Sequence, residues 1–417
     1  MNKKTIMDVD VKGKKVLLRC DFNVPIKNGV ITDDSRIKAS VPTIKYLLAN
    51  GARVIICSHF GRPKGKSCPD YSFAPLAAYL SGYIGELQFC DDIMGEGAKQ
   101  KAADLEDGQA LFLENLRFYP GEEANDPEFA RALASLCDIY VNDAFGVSHR
   151  AHASVAGVTK FAPVSVAGFL LKKETDFLGQ KLANEVERPY VAIVGGSKVS
   201  DKIAVIKNLI KKADSVIIGG GMAFTFLAAM GFEVGRSLVE KDKKHIALNI
   251  IKQAQDNGAR ILLPVDVRVA KSFPDPIDLP MDFSVIRFNA GFGFPSADCS
   301  LYEIDNFTPD EMGLDIGPET EKLFAGVIER AKTILWNGPM GVFENPTFIQ
   351  GTKAVATAIA RAASNGALSV VGGGDSAAAA ITCGVADVIT HISTGGGASL
   401  EFLEGKPLPG VEALNDK

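Results

Sequence analysis

The chain has 417 residues, 47% of them apolar and 23% charged, with a formal net charge of −5 and a sequence pI near 5.7. That length exceeds one ordinary core and favours two domains, with a single large barrel as the alternative, and the apolar content excludes a disordered chain. A net negative charge gives no global attraction to nucleic acid or to an anionic membrane, so any anion has to be held by a local cluster.

The N-terminal stretch MNKKTIMDVDVKGKK is basic but has no apolar run of the kind an export signal needs, which implies a cytoplasmic protein. From there short β-branched runs alternate with longer amphipathic ones: KKVLLRCDF, SRIKASVPTIKYLLANG, ARVIICSH, then QALFLEN and IYVNDAF on either side of DPEFARALASLC. Such alternation predicts βαβ units and a mostly parallel sheet. A polar helical pattern from Lys172 to the residue before Pro189 suits a helical linker over 172–188. The alternation then restarts with PYVAIVGG, VSDKIAVIKNLIKKAD, SVIIGGG, ARILLPVDV, TILWNG, ALSVVGGGD and VITHIST. The predicted fold is therefore α/β, two Rossmann-like domains with mostly parallel sheets, covering 1–171 and 189–404.

Three stretches need separate treatment. The uncharged run 215–232 has the length of a membrane span, but three glycines at 219–221 divide it into strand, turn and helix. Residues 268–312 carry Pro, Asp and Phe with weak periodicity, which predicts an irregular excursion with one or two short strands, peripheral to the chemistry. The closing segment GKPLPGVEALNDK has two prolines and little apolar content, which predicts a course along the surface. Seven scattered cysteines without a C-x-x-C pair fit neither a disulfide framework nor a zinc site.

In open parallel sheets ligands bind beyond the carboxyl ends of the strands. In the first half those ends read RCDFNVP (19–25), SHFGRPKG (58–65), LENLRFYPGEE (113–123) and VNDAFGVSHRAHAS (141–154), with Arg36 after an acidic turn. Guanidinium groups converging on one cleft suit a compact polyanion such as a phosphorylated acid. In the second half the ends read GGSKVSDK (195–202), GGGMAFTF (219–226), WNGPMGVFE (336–344), GGGDS (372–376) and STGGGAS (393–399). Glycines let backbone N–H groups approach phosphates, and a helix starting just beyond adds partial positive charge, which suits a nucleotide. Asp375 after such a turn is placed to orient a magnesium ion bridging phosphates. Each feature alone has a plainer reading: tight turns for the GGG triplets, a solvated helix face for Lys198 and Lys202, packing for Trp336, structural roles for His59 and His152. Their coincidence at strand ends points to phosphoryl transfer between an acid and a nucleotide. From the sheet pattern alone a NAD-dependent dehydrogenase is the rival enzyme, though no G-x-G-x-x-G opens a helix after the first strand, and a non-catalytic nucleotide-binding protein is the rival of another class.

These motifs in this order, together with MGLDIGPET (312–320) and STGGGASLEFLEGKPLPG (393–410), closely resemble the phosphoglycerate kinase family along nearly the whole chain. The resemblance implies a monomer that converts 1,3-bisphosphoglycerate and ADP to 3-phosphoglycerate and ATP, reversibly and with Mg2+, with 405–417 packing back on the first domain; because acid and nucleotide sit in separate lobes, the lobes are expected to close about the linker. It implies that Asp21, Asn23, Arg36, His59, Arg62, Arg117 and Arg150 hold the acid. It further implies that Gly196, Ser197, Lys198, Lys202, Gly219, Gly220, Gly221, Asn337, Glu344, Gly372, Gly373, Gly374, Asp375 and Ser376 face the nucleotide, with Glu344 on the ribose and Asp375 addressing the metal. Arg36, Lys198, Lys202, Gly373 and Gly374 would stabilise the transferring group. Ser197 and Phe60 stand where the family often has Ala and Leu, and 268–312 matches it poorly.

Overall fold

A computed structural model describes residues 2–27, 29–182, 186–288 and 307–417. The chain divides into two compact units, 1–179 with 406–417, and 180–405.

In the first unit the elements run β1 (Lys15–Arg19), a small hairpin β2 (Ile26–Lys27) and β3 (Val30–Ile31), α1 (Ser35–Ala49), β4 (Arg53–Cys57), α2 (Ala74–Ile84), β5 (Gln88–Cys90), α3 (Glu96–Asp104), β6 (Ala110–Leu113), α4 (Pro120–Glu123), α5 (Pro127–Ala134), β7 (Ile139–Asn142), β8 (Val164–Ala167) and α6 (Phe169–Thr175). Six strands form one parallel sheet in the order β5-β6-β4-β1-β7-β8. Strands such as β6 and β7 are buried at every position, which is why they read as continuous apolar runs. Helices are started by local chemistry: Asp126 accepts a hydrogen bond from the Phe129 amide at 2.8 Å, and Pro127 takes the first helical position.

The second unit continues with β9 (Tyr190–Val194), α7 (Ile203–Leu209), β10 (Ser215–Ile218), α8 (Met222–Ala229), α9 (Lys244–Asp256), β11 (Arg260–Leu262), β12 (Asp266–Ala270), β13 (Ser284–Arg287), β14 (Met312–Ile316), α10 (Pro318–Ile328), β15 (Thr333–Asn337), α11 (Gln350–Ser364), β16 (Leu368–Val371), α12 (Gly374–Thr382), β17 (His391–Ile392) and α13 (Gly397–Leu403); α14 (Pro409–Glu412) belongs to the first unit. Its main sheet is parallel, in the order β11-β10-β9-β15-β16-β17. This is the doubly wound order, whose direction of winding reverses between β9 and β15. The run 215–232 is strand, turn and helix, and no helix among the described residues is long and apolar enough to cross a membrane. Trp336 is fully buried, its Nε1 donating to the Gly338 carbonyl at 2.8 Å.

The structure corrects three expectations. The excursion is organised: β13, β12 and β14 make an antiparallel sheet, although 289–306 lies outside the described residues. The closing segment is docked rather than superficial. Leu408, Val411 and Leu414 are buried, and Asn142 Nδ2 donates to the Gly410 carbonyl at 2.8 Å. Few apolar residues suffice because each is covered and the backbone is paired. The segment expected as a polar linker over 172–188 opens within α6 of the first unit, continues as a π-helical turn over Asp176–Lys181, and buries Glu174, Thr175, Leu178 and Leu182; its residues 183–185 lie outside the described ones.

Asp143, just past β7, sets where α6 starts. Its Oδ1 accepts from the amides of Leu170 at 2.8 Å and Leu171 at 3.2 Å, and a side chain on Gly168 would collide with it. Burial pushes this carboxyl up to about 7 despite those hydrogen bonds. Between its ordinary value near 3.8 and 7 the folded chain therefore keeps a proton that the unfolded chain has lost, so stability from this group falls as pH rises through that window and levels off above it. Asp143→Asn should accordingly gain on the parent as pH rises from 4 to 7, with a constant difference above 7. Urea midpoints measured across that range would sink the assignment if the two chains tracked each other.

Candidate active site

At the carboxyl edge of the first sheet, β1, β4, β6 and β7 each end in a polar residue cluster. Arg36, in the first turn of α1, reaches back over the end of β1: its Nη1 lies 3.1 Å from Asp21 Oδ2 and donates to the Asn23 carbonyl at 3.0 Å. Asn23 Oδ1 accepts from the Gly61 amide at 2.9 Å, tying the β1 loop to the β4 loop. Arg117 donates from Nη1 to the Gly61 carbonyl at 2.7 Å, and its Nε lies 3.0 Å from Glu123 Oε1 without the alignment of a hydrogen bond. Arg150 is half-buried with its Nε 3.2 Å from His149 Nε2. Arg62 is exposed and meets no carboxylate among the described residues.

His59 is buried, with Nδ1 3.3 Å from Arg19 Nη2. Burial first, then Arg19, Arg117 and Arg36, hold its pKa well below the usual histidine range, so it is a neutral ring. His152 behaves alike, pushed down to about 4 by burial and the neighbouring arginines. Protonation of these rings adds nothing at neutral pH; the positive charge of the site is guanidinium charge, and burial together with Arg150 and Arg19 lowers even the Arg117 pKa.

Sequence reasoning passed over what holds this edge together. Arg19, the last residue of β1, is fully buried, and its Nε donates to Ser154 Oγ at 2.8 Å. Ser154 Oγ in turn donates to Glu122 Oε1 at 2.6 Å, while its amide donates to Glu122 Oε2 at 2.9 Å. Asn115 is a second hub, accepting from the amides of Phe60 and Arg117 and donating to the carbonyls of Phe60 and Tyr71. An arginine ending a core strand was the available signal for Arg19, because such a group needs a buried partner.

In the second unit the crevice lies at the reversal of winding. Loops after β9, β10 and β15 press together: a Cβ on Gly195 would stand 2.0 Å from the Pro339 carbonyl oxygen, and one on Gly220, which has φ +67°, 2.6 Å from that of Gly196. Lys202 Nζ donates to Asn337 Oδ1, and Asn337 Nδ2 to the Gly372 carbonyl at 2.6 Å. Ser376 Oγ accepts from the Gly338 amide at 2.6 Å. Burial lowers the Lys202 pKa, with Asp375 and Asp201 opposing. Lys198 is exposed on the loop before α7 and not on a helix face, because α7 begins only at Ile203. A cleft of about 520 Å³ is lined by Gly196, Ser197, Gly220, Gly221, Glu344 and Asp375 together with the apolar side chains of Leu238, Phe273, Ile277, Met312 and Leu314.

Two expectations change here. The Gly219 amide donates to the Val194 carbonyl and that of Gly220 to the Met340 carbonyl, so these two glycines serve close backbone packing rather than presenting free amides. The amides of Gly373, Gly374 and Asp375 at the start of α12, by contrast, meet no protein acceptor among the described residues. The excursion is also not peripheral, since Phe273, Ile277 and Met312 form a wall of the cleft. Antiparallel pairing of β12 with β14 carries it there, a long-range contact that periodicity does not register.

The phosphoglycerate kinase family model matches residues 6–406. The chain belongs to the phosphoglycerate kinase family. It is 53% identical to the phosphoglycerate kinase of Clostridium botulinum over all of this chain and 99% of that one, and 52% identical to that of Clostridium perfringens with the same coverage. Among solved structures it is similar to phosphoglycerate kinase from Coxiella burnetii, with a TM-score of 0.86 and 40% identity, and to that from Pyrococcus horikoshii OT3, with 0.80 and 34%; each match covers 99% of this chain and 98% of the other. A member of this family is a kinase, an enzyme that transfers phosphate, and neither the dehydrogenase nor the non-catalytic reading is favoured.

The Arg19–Ser154–Glu122 relay is the support under the carboxyl edge of the first sheet, with Arg19 and Glu122 both fully buried. Glu122→Ala leaves a guanidinium buried without compensation and should cost about 3–5 kcal/mol. Glu123→Ala, which removes the half-exposed partner of Arg117, should cost less than about 1 kcal/mol. Chemical denaturation of both variants tests this, and equal losses would refute the relay.

Proposed function

We propose that the chain moves the acyl phosphate of 1,3-bisphosphoglycerate to ADP, reversibly giving 3-phosphoglycerate and ATP, with the acid held at the guanidinium-rich edge of the first unit and the nucleotide in the cleft of the second. The observation that carries this division is the contrast between the two edges: arginines and neutral histidines in one, glycine backbone with one semi-buried lysine in the other. Family membership supplies the reaction class.

On this reading Asp21 and Asn23 position Arg36 over the acid, using only its Nη1 and leaving Nη2 and Nε for the ligand. His59 binds as a neutral ring, and Arg62, Arg117 and Arg150 clamp the distal phosphate. Gly373, Gly374 and the start of α12 present amides to the phosphoryl oxygens. Asn337 fixes the Lys202 ammonium beside them, and Lys198 follows the group as it crosses. Glu344 takes the ribose hydroxyls. An acyl phosphate needs no protein nucleophile: the phosphorus–oxygen bond to the carboxylate breaks as one to the ADP oxygen forms, and the protein aligns the atoms and offsets charge.

The residues fit a nucleotide-borne Mg2+. Asp375 is an exposed carboxylate on the cleft, and no cluster of three or more metal-ligating side chains occurs among the described residues, which suits an ion held by one carboxylate, phosphates and water. Such an ion would neutralise charge on the phosphates. We take the enzyme to be a cytoplasmic monomer with no nucleic-acid or membrane partner, in keeping with its net charge of −5.

Reacting atoms must come within about 3–3.5 Å in a water-poor site, so the lobes should close when both ligands bind. Small-angle scattering should then give a smaller radius of gyration with both ligands than with neither; an unchanged value would argue against closure. A coupled assay for ATP formed from ADP and 1,3-bisphosphoglycerate tests the reaction itself. In that assay Arg36→Ala should lower kcat by on the order of a hundredfold or more, with little rescue by Lys, whose ammonium cannot copy a fork. Arg62→Ala should mainly raise KM for the acid. An Arg36→Ala enzyme with intact kcat would reduce Arg36 to a substrate clamp.

A further inference from the structure

The excursion supplies a residue that nothing in the family's motifs assigns. Ile277 sits in a turn between β12 and β13, is 40% exposed although apolar, and lines the cleft. Its backbone is held from an unexpected quarter. Asn345, which directly follows Glu344 and is fully buried, donates from Nδ2 to the Ile277 carbonyl at 2.8 Å and to the Leu279 carbonyl at 2.7 Å. The Asn345 amide donates to the Val342 carbonyl at 3.0 Å, and the Val342 amide to the Leu314 carbonyl at 2.9 Å. Two residues further on, the Met281 amide donates to Thr347 Oγ1 at 3.0 Å, and Met281 packs on the cluster of Leu314 and Phe348.

The wall from Leu314 through Val342 to Ile277 is thus one hydrogen-bonded unit, anchored beside the carboxylate read as the ribose ligand. Besides the glycine loops and Asp375 the cleft is lined by apolar side chains, Phe273, Ile277, Met312 and Leu314 among them, and a base, unlike a phosphate, takes an apolar lining. We propose that Ile277 is a specificity-determining residue that covers the far ring of a purine base, and that Asn345 is the positioning residue that holds it there. A pyrimidine, one ring shorter, leaves Ile277 without a partner, and a lost apolar contact of this kind is worth on the order of tenfold or more in discrimination.

The proposal rests on the nucleotide reading of the second unit, and its test separates the two by measuring binding rather than turnover. Calorimetric titration of the full chain with ADP and with CDP gives two dissociation constants per variant. Ile277→Ala, at an exposed turn, should weaken ADP on the order of tenfold and CDP less than twofold, narrowing the purine preference. Asn345→Ala should reproduce that pattern, because it releases the same turn. Equal weakening of both nucleotides, or none, in Ile277→Ala overturns the assignment whatever the second variant does; loss of ADP selectivity in Ile277→Ala but not in Asn345→Ala overturns the positioning role. A parent chain that binds ADP but forms no ATP from 1,3-bisphosphoglycerate would refute the reaction and leave the base contact standing.

Discussion

Parallel pairing is the constraint from which the chemistry of both units descends. Strands that all run one way require a crossover between each pair, and every strand then ends on the same edge. Arg19, Cys57, Leu113 and Asn142 are the last residues of four such strands, so the loops that follow them assemble without any local sequence relation. In the second unit Val194, Ile218, Asn337 and Val371 play the same part, and the reversal of winding between β9 and β15 opens the crevice that Lys202 and Asn337 bridge.

The two edges then use that geometry in opposite ways. The first concentrates guanidinium charge and accepts the consequence that nearby rings stay neutral at neutral pH: burial and arginine repulsion depress both His59 and His152. Its stability depends on buried countercharge, above all Glu122, which satisfies Ser154 twice and faces Arg19 and His152 at 3.9 Å. The second edge carries its complement in the backbone. Where loops touch, glycine is required by contact distance, as at Gly195 and Gly338; where a helix starts, as at Gly373 and Gly374, free amides remain. One residue type serves two physical ends a few ångströms apart.

The small antiparallel sheet β13-β12-β14 shows how a poorly patterned stretch becomes part of a site. Arg268 on its central strand pairs with Glu321 at 2.6 Å and with the buried Asp315 at 3.4 Å. Asp315 also accepts from the Gly351 amide at 2.7 Å, and burial drives its carboxyl well above the usual range. These contacts fix β14, and with it Leu314 and the cleft wall, against α11.

The sequence by itself determined the parallel α/β architecture, because alternating apolar runs admit few other packings, and it determined the identity of the strand-end residues, because topology puts chemistry after each strand. It also sufficed for the family, through motifs such as SHFGRPKG and GGGDS in fixed order. Only the tertiary structure decided that Arg19 and Glu122 share one buried relay, since residues 103 positions apart in sequence meet only through the sheet's crossovers. It alone decided which glycine amides are free, because the choice depends on an acceptor from another loop. It alone brought Ile277 to the cleft, because Asn345, 68 residues away, supplies the hydrogen bond that holds it there, and periodicity carries no record of a partner that distant.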